Sequence, residues 1–182
     1  MYRPALAFVL IMLASLLGAM PVAAQQVSPF LPLLVYCPSG TFADCVGSPC
    51  TMVDGKYSCK CTVKSGPSGS AGSCIPQNQQ SIQSRYYPMT AYQVCSRAVA
   101  SWANCLGSPC TISDNNTAIC NCSTATPPQN WIVPLPSSSC NPSVCSQPPT
   151  ISTAAPSDAA DMTKFLIGQN RNIVQPKVCT SP

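Results

Sequence analysis

Fourteen cysteines are the side chains in this 182-residue sequence whose type and spacing speak most directly to chemistry. Two Cys-x-Cys pairs, Cys59/Cys61 and Cys120/Cys122, invite three readings: thiol–disulfide exchange, a thiolate metal site, or structural bridges. Redox enzymes of the thioredoxin type use Cys-x-x-Cys at a helix start, where the thiol pKa falls, and no Cys-x-x-Cys occurs here. Zinc would need all-cysteine sites, because the chain has no His, and it would need reduced thiols. A serine nucleophile lacks a His partner, and without Glu there is no obvious acid/base pair. Structural bridges are therefore the favoured reading, and the chain is expected to be non-enzymatic, with no cofactor and no metal.

The elements that must position these cysteines occur twice. Ala43–Asp54 and Ala103–Asp114 share eight of twelve residues, and each block continues to a Cys-x-Cys pair. Such self-similarity marks a duplication. Between Cys50 and Cys59, Asp54-Gly55 separates two short β-forming runs, a strong two-residue hairpin signal because both turn residues need positive φ. That turn sets Val53 opposite Lys56, Met52 opposite Tyr57, Thr51 opposite Ser58 and Cys50 opposite Cys59. The second copy is one residue longer, with Asp114-Asn115-Asn116 in the turn. A three-residue loop with a left-handed Asn is expected to absorb the insertion, with Ser113 facing Thr117, Ile112 facing Ala118 and Cys110 facing Cys120. Cys59 and Cys61 then share one face of a strand, as do Cys120 and Cys122. Gly-Ser-Pro before each hairpin reads as a tight turn.

The order Cys37, Cys45, Cys50, Cys59, Cys61, Cys74 has seven, four, eight, one and twelve residues between successive cysteines, and Cys95, Cys105, Cys110, Cys120, Cys122, Cys140 has nine, four, nine, one and seventeen. With the Tyr57-Ser58-Cys59-Lys60-Cys61 run, this resembles the six-cysteine order of EGF-like modules over residues 37–74 and 95–140. The resemblance implies Cys37–Cys50, Cys45–Cys59 and Cys61–Cys74, then Cys95–Cys110, Cys105–Cys120 and Cys122–Cys140. Cys145 and Cys179 lie outside both sets and are expected to pair with each other. Spacing alone leaves fifteen pairings open for six cysteines, and a cross-strand Cys50–Cys59 bond is sterically allowed.

Composition agrees with a stapled scaffold. Residues 1–24 read as a secretory signal: Arg3 in the n-region, sixteen apolar residues over Ala5–Met20, and Val22-Ala23-Ala24 before Gln25. Sixteen is short for a bilayer span, which takes roughly 20 residues. Once this segment is cleaved, cysteine approaches about nine per cent of the chain, in the range of disulfide scaffolds. Apolar branched residues are too few for a large core, a deficit that bridges worth about 2–4 kcal/mol each can offset. The expected product is a small, disulfide-rich, mainly β protein, secreted or periplasmic, with no membrane span after signal cleavage. Nine Lys and Arg against five Asp give a net charge of +4, scattered along the chain, which leaves nucleic acid binding without support.

The expected organisation is an arm over 25–36, a first module over 37–76, a linker over 77–94, a second module over 95–140 and a C-terminal arm over 141–182. Val94–Ala103 has helical apolar spacing, and the proline-rich stretch Thr124–Ser139 reads as extended. In the last arm Ser157 would cap a helix running to Ile167, with Gly168 ending it and Met162, Phe165 and Leu166 buried. Asn115 and Asn121 head glycosylation sequons. Tyr86, Tyr87 and Trp131 are the candidate ligand anchors, with another protein or a surface glycan as partner, although Trp131 and Trp102 read first as packing for a small core. The alternative function is a secreted inhibitor or toxin-like effector that presents the Cys122–Cys140 loop, rigid and carrying Trp131, to its target.

Overall fold

The computed structural model describes residues 34–74, 80–96, 101–125, 130–146, 151–170 and 172–180. The segment read as a secretory signal and the arm as far as residue 33 lie outside the described residues. Strands β1 (Leu34–Cys37), β2 (Thr41–Asp44), β3 (Cys50–Val53), β4 (Lys56–Ser65) and β5 (Ser68–Ala71) carry the first set of cysteines. After β6 (Ser81–Gln83) come β7 (Ala91–Cys95), β8 (Trp102–Asn104), β9 (Pro109–Asp114), β10 (Thr117–Ala125) and β11 (Trp131–Pro134). A short 3-10 turn at Pro142–Ser146, one helix, α1 (Pro156–Gln169), and β12 (Lys177–Thr180) complete the chain. The protein is thus small, disulfide-rich and mainly β, with two stapled hairpins and a C-terminal arm bearing one helix.

Both hairpins form with the cysteine register the sequence dictates. Asp54 and Gly55 take φ of 49° and 76°, and Val53↔Lys56, Met52↔Tyr57, Thr51↔Ser58 and Cys50↔Cys59 pair as expected. In the second hairpin Cys110↔Cys120 and Ile112↔Ala118 also pair as expected. The extra residue is absorbed differently: Thr117 pairs with Asp114, and the register shifts at Ser113 as a bulge. No Asn in that turn is left-handed. Instead Asp114 Oδ1 accepts the Asn116 N–H at 2.9 Å, closing an Asx turn that also holds the Asp114 carboxyl below its usual range.

All fourteen cysteines are bridged, and none of the pairs is the one the EGF-like resemblance implies. The bonds are Cys37–Cys74, Cys45–Cys61 and Cys50–Cys59, then Cys95–Cys145, Cys105–Cys122 and Cys110–Cys120, with Cys140–Cys179 outside both sets. Each set is nested, first to last, second to fifth, third to fourth. Register is the reason. Cys50 faces Cys59 across β3–β4 with Cα atoms 4.1 Å apart. Cys61, two residues on, shares that face and meets Cys45 at the end of β2, Cα atoms 4.5 Å apart. The sixth member of the second set is Cys145, whose Sγ lies 3.9 Å from the Val94 carbonyl as Cys74 Sγ lies 3.5 Å from that of Tyr36.

The hairpins then pair with each other. β4 and β10 run antiparallel, symmetric about Cys59↔Cys120: Lys60↔Ile119 mirrors Ser58↔Asn121, and Cys61↔Ala118 mirrors Tyr57↔Cys122. A pseudo-two-fold axis therefore passes through the central sheet, in the manner of an isologous dimer within one chain. The segments after each copy are exchanged across that axis. Ser84 clasps the second copy's turn (Ser84 N to Ser108 O 2.9 Å, Gly107 N to Ser84 O 3.0 Å), while Arg85 N reaches Ala43 O at 3.0 Å. Ser152 clasps the first copy's turn, with Gly47 N to Ser152 O and Ser152 N to Ser48 O both 2.8 Å, while Thr153 N reaches Ala103 O at 3.0 Å. Gly47 and Gly107 need their φ of 82° and 78°, and a Cβ on Gly47 would lie 2.5 Å from Pro134 Cγ. The stretch expected as a linker supplies β6, which pairs along β9.

Two further expectations give way to strands. Val94–Ala103 does not form a helix where it is described: β7 takes its start and β8 its end, because these residues pair with β11 and β10. Trp131–Pro134 is extended, as expected, but as a strand on β7. α1 starts at Pro156 with Ala155 as N-cap and no side-chain cap, so Ser157 is inside the helix; Gly168 is inside as well, and Asn170 ends it. Met162 and Leu166 are buried against Tyr86, with Phe165 half-buried beside them. Gly69 makes room for this face, since a Cβ there would lie 2.6 Å from Met162 Sδ.

Candidate binding groove

The anchors expected from sequence separate sharply. Trp131 is 1% exposed and packs with Trp102, Cys95 and Ala155. It is a core residue, so the loop-presenting inhibitor loses the side chain that motivated it. Tyr86 is 5% exposed, and its hydroxyl bonds Thr163 Oγ1 at 2.8 Å between strand segment and helix. Burial pushes its pKa up to about 12. Neither ring can anchor a ligand in this fold. Asn115 and Asn121 are both exposed, Asn115 at the hairpin tip and Asn121 along β10.

Of the three, Tyr87 is the partly exposed one and borders an open groove. It is half-buried, its ring lies 6.1 Å from that of Phe42 at 27°, and Lys64 Nζ sits 4.0 Å above its centre. Lys64 in turn pairs with Asp44 Oδ2 at 2.7 Å. The ring is thus fixed by a buried aromatic and a tethered cation. It borders a groove of about 540 Å³ between two chain segments. One wall is Pro67 with Tyr87-Pro88-Met89-Thr90; the other is Asn170 with Asn172 to Gln175.

The second wall is held by a compact turn. Asn170 N donates to Leu166 O at 2.9 Å, Asn170 Oδ1 accepts from Asn172 N at 3.0 Å, and Ile173 N donates to Asn170 O at 3.1 Å. Asn170 Nδ2 reaches the Tyr36 hydroxyl at 3.4 Å, and Lys177 N donates to Thr90 O at 3.0 Å, joining the walls at one end. Ile173 turns inward onto the Tyr86–Met162–Leu166 cluster, while Val174 is left 79% exposed on the rim. An exposed valine in a fixed turn beside a proline-lined cleft is the largest unexplained apolar exposure among the described residues.

The second wall leads in sequence into a strand at a sheet edge. β12 pairs with β7 on one side only, and among the described residues no strand covers its other side. Val178 on this strand is 46% exposed. Amide side chains of Asn172 and Gln175 and the hydroxyl of Thr90 stand among the apolar groups, a mixture suited to binding an extended backbone. A second hollow, about 130 Å³, lies where α1 begins, between Val46 and Leu106 of the two copies.

Sequence reasoning found Tyr87 but missed Val174, Ile173 and Met89. Nothing in their local pattern sets them apart; only the tertiary approach of the two walls does. Arg85 was also missed. It is 2% exposed, its Nη2 donates to Cys74 O at 2.6 Å, and burial lowers its pKa.

Two groups of three cysteine sulfurs lie within 4.8 Å of one another, Cys45/Cys61/Cys120 and Cys59/Cys105/Cys122. As bridged sulfurs they offer no thiolate to a metal. No helix among the described residues is long and apolar enough to cross a membrane. The density of bridges fits an extracytoplasmic protein. No family model matches the chain, and no curated protein or solved structure matches it.

Proposed function

We propose that the protein is a secreted or periplasmic, non-enzymatic binding module whose Tyr87 groove takes an extended, apolar segment of another protein. The observation that carries this is the groove between Tyr87-Pro88-Met89 and Ile173-Val174, whose second wall leads in sequence into the edge strand β12. Edge-strand addition uses these parts: main-chain hydrogen bonds from the edge, and pockets for alternate side chains. The ring of Tyr87 favours a peptide over a sugar, because Phe42 and Lys64 already occupy its surroundings and leave the ring little room to stack a pyranose. Bridges on both sides of the groove hold it in shape, so little ordering opposes docking.

The experiment is selection of displayed random nine-residue peptides against the immobilised oxidised protein, repeated with Val174→Asp. Enriched sequences should be apolar and β-forming, and the variant should bind them at least about tenfold more weakly, as roughly 1.4 kcal/mol lost from the groove demands. Val174 is mostly solvent-exposed, so thermal unfolding of the variant should stay unchanged. No enrichment, or peptides that bind Val174→Asp as well as wild type, would overturn the proposal.

A further inference from the structure

Four bridges meet at the pseudo-two-fold axis, and they do so across the two copies. Cys120 Sγ lies 3.4 Å from Cys45 Sγ, although neither is bonded to the other. The mirrored group places Cys59 Sγ of the first copy within 4.8 Å of both Cys105 and Cys122 Sγ of the second. Every one of these six sulfur-bearing residues is at most 2% exposed. The two remaining partners, Cys110 and Cys50, are equivalent in sequence but not in environment. Cys110 is 2% exposed, and β6 lies along its strand with Ile82 directly opposite. Cys50 is only half-buried, in a strand whose outer edge is met among the described residues by a single bridge, Pro49↔Ile151.

We infer that the Cys50–Cys59 bridge is a thiol–disulfide exchange site, entered by an external thiol at Cys50, whose reduction is passed to Cys105–Cys122 and links the two copies covalently. The substrate class is a thiol or dithiol reductant. Its thiolate attacks Cys50 Sγ, the Cys50–Cys59 bond breaks, and Cys59 leaves as the thiolate. Cys59 then attacks the neighbouring bridge, forming a bond from Cys59 to Cys105 or Cys122 and expelling the other as a thiolate. A second external thiol releases Cys50 from its mixed disulfide. The reductant is oxidised to its disulfide, and the protein gains two hydrogens, one on Cys50 and one on Cys105 or Cys122.

Two opposing effects decide whether the second step runs. Burial disfavours the Cys59 thiolate that leaves Cys50. Against this, a bridge of the second copy lies within 4.8 Å, so the attack is intramolecular and needs no second encounter. That neighbouring bridge is the acceptor open to Cys59 once it is freed. The other bridges with a reachable sulfur, through Cys74, Cys140 and Cys145, belong to neither sulfur group and have no third sulfur to pass to.

The test is limited reduction of the oxidised native protein with dithiothreitol, acid quench, N-ethylmaleimide labelling and peptide mapping by mass spectrometry. Molecules labelled at Cys50 should carry their second label on Cys105 or Cys122 more often than on Cys59, since the transfer leaves Cys59 bonded to the second copy. They should also yield a cross-linked peptide joining Cys59 to the second copy. Joint labelling of Cys50 and Cys59 would overturn the relay. So would a Cys50 that stays unlabelled until the protein unfolds. In the double variant Cys105→Ala/Cys122→Ala, Cys50 and Cys59 should instead be labelled together; a variant that fails to fold leaves the wild-type map to decide.

Discussion

Alkaline titration of the Tyr86–Thr163 contact tests how α1 is fastened to the strands. Tyr86 carries its hydroxyl into a site where burial is the dominant influence, raising its pKa to about 12 from the ordinary 10. The Thr163 hydrogen bond pulls the other way, and Tyr92 and Asp44 add smaller repulsions. The unfolded chain would ionise near pH 10, the folded one only near 12. The stability this supplies is complete below pH 10 and is lost as the pH climbs through 12. Two pKa units at 1.36 kcal/mol each amount to about 3 kcal/mol. That is a sizeable share of the roughly 5–15 kcal/mol that holds a domain folded.

The assay is guanidinium unfolding, bridges intact, at pH 9 and again near pH 12, for wild type and Tyr86→Phe. Wild type should lose about 2 kcal/mol more than the variant over that interval, the group being only half titrated in the folded state at pH 12. Tyr92, also shifted upward by burial, and any alkaline damage to bridges act on both proteins, so the difference reads Tyr86 together with its repulsion from Tyr92. At pH 9 the variant should be less stable by about 1 kcal/mol, the net worth of one hydrogen bond whose partner Thr163 stays buried. Equal losses in the two proteins would show that Tyr86 ionises as it does in water, and the buried contact would be wrong.

Other outcomes follow from the same packing. Trp131→Ala should cost about 3–5 kcal/mol in thermal or denaturant unfolding, since the ring is 1% exposed; an unchanged midpoint would return Trp131 to the surface. Trp131→Phe should cost far less, because the indole N–H has no partner among the described residues and its removal offsets part of the lost contact. A protease site inserted between Gln77 and Asn78 should yield two pieces that separate on a non-reducing denaturing gel, because no bridge spans that point. The same pieces should co-elute under native conditions, held by β4–β10 pairing. Pieces that drift apart without denaturant would contradict the shared sheet.

What the sequence disclosed was local. Asp54-Gly55 fixes a turn with two positive φ values, and alternation then carries the register to Cys50–Cys59 without long-range information. The pairing implied by the EGF-like order failed because it ignored that register: once Cys50 and Cys59 face each other, Cys61 can reach only what lies beside it on the same face, Cys45. Cys145 replaced Cys140 in the second set because Cys95 lies in β7, and its neighbours there are set by β11 and the 3-10 turn, not by counting. The candidate site was legible at one residue. Tyr87 stood out as an aromatic beside proline, but its neighbour Tyr86 stood out equally and is buried. Val174 carries no local signal, and its wall meets the other only after α1 has docked.

Symmetry explains where the groove lies. The clasps at Ser84 and Ser152, the nested bridges and the paired hairpins each occur twice, related by the axis through Cys59↔Cys120. Features that the duplication repeats are accounted for by holding the two copies together. Among the described residues the Tyr87 groove has no such duplicate, because its second wall belongs to the helix-to-β12 turn, which follows the second copy. The same asymmetry separates Cys50 from Cys110, one edge being met at a single position and the other covered along β6. Residues that break the repeat are therefore the ones whose chemistry the scaffold does not already explain. Both the groove and the exchange site fall among them.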